Sequence, residues 1–165
     1  MNFNHFFSNI PGNDLERNIY SPDRLELLEK YIEQYQFLKK DQIYVDFLRS
    51  INGVGIFNHP FIIIIYGFSL EEGNLHLSLS NYEEETGYLA IAEFVEKKKK
   101  EWKSIGYYYK KGDEESIIYA RFFSGDKKTI SKLYFPLCTG FEFFINILSK
   151  KNYDEQFELV TKKNK

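Results

Sequence analysis

The run "FIIIIYGF", Phe61 to Phe68, constrains this chain more than any other stretch. It is apolar at consecutive positions, rich in β-branched residues, and bounded by Pro60 and Gly67. It is far too short to cross a bilayer as a helix, so it reads as a strand. A strand apolar on both faces is either covered on both sides or packed against helices. The remaining sequence must therefore supply covering layers.

Two segments ahead of it do so. In "SPDRLELLEKYIEQYQFL", Leu25, Leu28, Tyr31, Ile32, Tyr35 and Leu38 recur at steps of three and four, one face of an amphipathic helix. Ser21 is placed as its N-cap, Pro22 at the first helical position, and Glu26–Lys30 as a favourable pair on its outer side. In "DQIYVDFLRSING", Asp41 can cap a second helix, and Ile43, Tyr44, Phe47, Leu48 and Ile51 form its stripe. Asn52-Gly53 then supplies a left-handed residue that stops it and turns the chain into the sheet. A phosphate-binding role would need such a glycine at the start of a helix, not at its negative end.

Downstream, "GYLAIAEFV" reads as a strand and "EKKKKEWKS" as a solvated turn. "IGYYYKKGDEESIIYARFF" reads as a hairpin turning at Lys111-Gly112-Asp113, and "SGDKKT" as a further turn. "CTGFEFFINILSK" reads as a closing helix capped by Thr139, with Phe141, Phe144, Ile145 and Leu148 on one face. Segment 70–84 fits a strand through Leu75, Leu77 and Leu79, or a helix through Leu75, Leu79 and Tyr82; the pattern leaves both open. Helices, then strands, then a helix is an α+β order with a mostly antiparallel sheet. At 165 residues this is one domain. Residues 1–20, rich in Asn, form an N-terminal extension that contributes little to a core. Residues 21–150 form the domain, and 151–165 a tail with one possible short element at Phe157–Val160.

Chemistry is sparse. His5, His59 and His76 lack metal-ligand spacing. Cys138, the single cysteine, excludes an internal disulfide, sits among apolar residues in "FPLCTGFEFF", and fits a reducing compartment. "FSGD" lacks the surroundings of a nucleophile elbow. No cofactor is expected. The formal charge of −2 gives no field to recruit nucleic acid or an anionic membrane, and the Lys97–Lys100 run is flanked by Glu96 and Glu101. The N-terminus lacks a secretion signal, so a cytoplasmic location is expected. Sixteen Phe and thirteen Tyr leave two readings open, an aromatic core or a Tyr-rich contact face. The acidic groups Glu71-Glu72, Glu83-Glu84-Glu85 and Asp113-Glu114-Glu115 are solvated loops or a face for a basic partner.

Four stretches taken in order resemble the SUKH superfamily, which holds yeast glucan-synthesis regulators and bacterial immunity proteins. They are "LELLEKYIEQYQFL", "YVDFLRSINGVGIF", "GYLAIAEF" and "GFEFFINIL", spanning about 25 to 149. Ala90 stands where the family strand usually has proline, and "LKKDQIY" lacks the usual leucine-proline pair. The resemblance implies that Phe47, Leu48, Tyr88, Leu89, Ile91, Phe141 and Phe144 are core. It also implies a non-enzymatic module that binds and neutralises a cognate toxin. The contact residues expected from charge and turn position are Glu71, Glu72, Tyr82, Glu83, Glu84, Glu85, Asp113, Glu114 and Glu115. A regulatory scaffold and, from another class, a small carboxylate hydrolase are the alternatives. The partner's identity and the oligomeric state are not fixed by the sequence.

Overall fold

The computed structural model describes residues 1–15, 22–58, 60–68, 82–98, 100–123 and 133–150. Its sheet is antiparallel at every pairing. The strands are β1 (Asn13–Leu15), β2 (Gly53–Asn58), β3 (Phe61–Tyr66), β4 (Tyr82–Glu83), β5 (Tyr88–Glu96), β6 (Glu101–Tyr108), β7 (Ile117–Phe122) and β8 (Phe135–Thr139). Their order is β1-β2-β3-β5-β6-β7-β8, with β4 paired to the start of β5. The helices are α1 (Phe3–Ser8), α2 (Pro22–Gln34), α3 (Gln42–Ser50) and α4 (Gly140–Leu148). The α+β class expected from the element order is the one observed.

The apolar run becomes β3, flanked by β2 and β5. Of its two expected settings, the helix-backed one holds. Ile63 and Ile65 are fully buried in the core shared with the helices, whereas Ile62 and Ile64 are half-buried on the opposite face. The core beneath the helices joins Leu28 and Ile32 of α2, Phe47 and Leu48 of α3, and Phe141, Phe144, Ile145 and Leu148 of α4. All seven residues expected to be core are buried. Tyr88 differs in place: it lies on the other face, under Arg121.

Several expectations need correction. The first fifteen residues do contribute to the core. Phe3 and Phe7 of α1 are buried edge-on against Phe47, at ring separations of 5.6 and 5.9 Å, with Ile10 beside them. Large aromatic side chains outweigh the Asn-rich composition around them. Leu25 lies in the expected stripe but one turn before the packed stretch, and is 39% exposed. The lysine run does not reach as far as expected: Glu101 to Ser104 already belong to β6, and Lys103 is buried with its Nζ 5.1 Å from the Phe94 ring centre. Apolar stems and ring faces let a strand continue through residues that read as solvated. Of segment 70–84, residues 70–81 lie outside the described residues, and Tyr82–Glu83 is strand. Ser21, His59, His76, the 124–129 turn and the tail also lie outside them.

The helix stop works as the sequence indicates, one step removed. α3 ends at Ser50, Ile51 turns extended while its N–H still reaches Phe47 O at 2.9 Å, and Gly53 takes φ +86° to enter β2. Gly67 lies directly against this corner: a Cβ there would fall 2.1 Å from the Asn52 carbonyl carbon. Among the described residues no helix is long and apolar enough to cross a membrane.

Candidate protein-contact surface

Asp41 organises the end of the domain nearest the candidate site. Its Oδ1 accepts the Tyr44 N–H at 3.5 Å, capping α3 as the sequence suggests. Its Oδ2 accepts the Tyr107 hydroxyl at 2.7 Å and the Phe141 N–H at 2.8 Å. One carboxylate therefore caps two helices and ties both to β6. Thr139, the expected cap of α4, makes no side-chain cap bond because Asp41 already serves the first turn. Burial, and then the Asp41 charge, hold the Tyr107 hydroxyl well above the ordinary tyrosine range. The same two causes push the Cys138 thiol up to about 12, so it is a protonated, weakly nucleophilic group at neutral pH.

On this base, two turns meet side by side. Glu83 ends β4, and the β4–β5 turn that follows carries Glu84 and Glu85; the β6–β7 connection carries Asp113, Glu114 and Glu115. Tyr88 pairs with Tyr108, the Tyr109 N–H reaches Gly87 O at 2.8 Å, and Lys110 Nζ donates to the Glu85 carbonyl. The sheet register thus brings together two of the three acidic groups singled out in the sequence. Glu71 and Glu72 lie outside the described residues.

The members of the two groups have different surroundings. Glu84, Glu85, Glu114 and Glu115 are exposed, with Lys110 and Lys111 between them. Glu83 is exposed as well, but its carboxylate is engaged, accepting from Thr86 Oγ1 at 2.9 Å and from Arg121 at 3.4 Å. Asp113 is half-buried and accepts the Tyr119 hydroxyl at 2.6 Å. Tyr82 is half-buried, its ring 5.0 Å from Phe37 and 5.8 Å from Tyr35. It anchors the turn to the rest of the fold, and burial followed by the Glu84 charge raises its pKa.

Sequence reasoning missed Arg121. Its buried guanidinium lies 4.7 Å from the Tyr88 ring centre and 4.6 Å from that of Tyr134, a double cation–π arrangement. The Tyr134 ring stacks in turn on Tyr108 at 4.1 Å. The alternation in "IIYARF" puts Tyr119 and Arg121 on one face and could have flagged this. Arg121 holds Glu83 from beneath, so the acidic end is braced by buried groups. Among the described residues no set of three His, Cys, Asp or Glu side chains could hold a metal ion. Comparisons of the chain with protein-family models, curated proteins and solved structures return no match.

Proposed function

We propose that this protein is a binding module of the immunity type, which neutralises a basic partner protein, a toxin domain, by docking the acidic end of its sheet against it. One observation carries the reading. Glu84, Glu85, Glu114 and Glu115 stand exposed on two adjoining turns, over a base fixed by Asp41, Arg121 and the aromatic contacts of Tyr82. A rigid base with a charged rim favours fast encounter and selects the partner by sign of charge. The resemblance to SUKH proteins supports the immunity role, and the acidic end supplies the basic character of the partner.

The test begins by co-purifying the partner with the tagged full-length chain. Association is then compared with a variant carrying Glu84→Lys, Glu85→Lys, Glu114→Lys and Glu115→Lys. The expected result is a single stoichiometric partner whose toxicity is suppressed, and an association rate at least ~10-fold slower for the variant at low salt. The melting temperature should be nearly unchanged, because these four side chains make none of the buried contacts described above. Unchanged association by a folded variant removes the acidic end from the interface.

A further inference from the structure

The face of the sheet away from the helices carries a second feature, at the opposite end of β5. Phe57, Ile62, Val95 and Trp102 stand directly opposite one another across β2, β3, β5 and β6, forming a straight apolar row. At ~4.8 Å per strand the row is about 14 Å long. In the next row Gly55 faces Ile64, Ile64 faces Glu93, and Glu93 faces Ser104. The Phe57 ring leans over Gly55, where an added Cβ would lie 2.6 Å from it, and Phe57 remains 49% exposed. Phe57, Ile62, Ile64, Val95 and Trp102 line a groove of about 570 Å³ that also takes in Lys97 and Lys100 from the β5–β6 turn. It lies roughly 23 Å along β5 from the acidic turns, seven residues at ~3.3 Å each.

The lining selects the occupant. Beyond the apolar row only Ile64 of the next row lines the groove, and the Glu93 and Ser104 beside it are polar, so a helix about 10–12 Å across would lay part of its apolar face on polar groups. An extended peptide would bring amides needing partners, but these strands spend theirs on the ladder. A single aliphatic chain fits the row and asks nothing of the backbone. The two lysines at the Val95–Trp102 end fit an anionic head. An apolar lining with a few polar groups at one end is the usual composition of a small-ligand site, and the volume lies within the usual range of about 300–1,000 Å³.

We propose that this groove binds a free single-chain aliphatic carboxylate. Its tail lies along Trp102, Val95, Ile62 and Phe57, and its head lies between Lys97 and Lys100. The site is independent of the acidic end and of the function proposed for it.

Trp102 is the only tryptophan of the chain and so reports occupancy directly. Dodecanoate, decanoate and dodecyltrimethylammonium would each be titrated below their micelle concentrations while Trp102 emission is followed. Dodecanoate should give a saturable blue shift. Decanoate should bind about 15-fold more weakly for its two missing methylenes, and the cationic amphiphile at least ~10-fold more weakly. Lys97→Glu with Lys100→Glu, on an exposed turn, should reverse the head-group preference with an unchanged circular dichroism spectrum. Equal binding of both head groups, no saturable shift, or binding to anionic phospholipid vesicles without binding of free dodecanoate overturns the proposal.

Discussion

Replacing Asp41 with alanine tests the junction of α3, α4 and β6 most directly. The carboxylate is 8% exposed, and its Oδ2 serves two donors at 2.7 and 2.8 Å. Alanine strands both the Tyr107 hydroxyl and the Phe141 N–H in a buried setting. Each orphaned donor costs about 1–3 kcal/mol, so about 4 kcal/mol is expected in total. In a chain of this size that lowers the melting temperature by about 8–16 °C. Asp41→Asn keeps one oxygen for both donors and loses only the long bond from the Tyr44 N–H, so it should cost about 1–2 kcal/mol. The decisive measurement is a double-mutant cycle with Tyr107→Phe by urea denaturation. Once the Tyr107 hydroxyl is gone, Asp41→Ala strands one donor fewer. The double variant should therefore fall short of the sum of the singles by about 1–2 kcal/mol. Additivity within ~0.5 kcal/mol, or a loss below ~1 kcal/mol for Asp41→Ala, would refute the shared-cap reasoning.

Two further predictions concern the tyrosines and the corner beneath β3. Tyr66, Tyr88, Tyr107, Tyr109 and Tyr119 all have raised folded-state pKa values, with burial the largest cause in each. Ionisation therefore favours the unfolded chain: stability should be intact below the unfolded tyrosine pKa of about 10 and decline above it. A pH titration by tyrosinate absorbance and circular dichroism should show ionisation and unfolding together, and smooth ionisation of a folded protein near pH 10 would contradict this. Gly67→Ala would press its methyl onto the Asn52–Gly53 backbone, at 2.1 Å from the Asn52 carbonyl carbon. A loss of about 1–3 kcal/mol by thermal or urea unfolding is expected, and a neutral substitution would mean that this corner yields easily.

The parts of the fold legible in the sequence were those carried by periodicity. The stripe of α4, the cap and stripe of α3, the hairpin at Gly112 and the central apolar strand follow from residue spacing within one element. What could not be read depends on neighbours far apart in the chain. Phe3 and Phe7 count as core only because Phe47 waits for them. Lys103 and Arg121 look like surface charges until the aromatic rings beside them are placed. For the candidate site, the acidic residue types and their turns were legible, but which turns adjoin was set by the register of β5 on β6. Glu83, Asp113 and Tyr82 read as contacts equal to their neighbours, and only the packing shows that Glu83 is tied to Arg121 and that Asp113 and Tyr82 are half-buried. The row from Phe57 to Trp102 has no sequence signature, since each strand gives it only one residue.

Most strands of the sheet pair with a neighbour in the chain, so its hairpins can close over short loops at little entropic cost. Asp41 is different, for its two Oδ2 partners lie 66 and 100 residues downstream. Among the hydrogen bonds of the described residues these close the longest loops, and they need β6 and the start of the last helix in place. The carboxylate then acts as a latch set after assembly. A late contact of this kind governs how quickly the folded domain opens more than how quickly it is reached. Asp41→Ala is therefore expected to speed unfolding more than it slows folding, a partition that the two arms of a denaturant chevron would read directly.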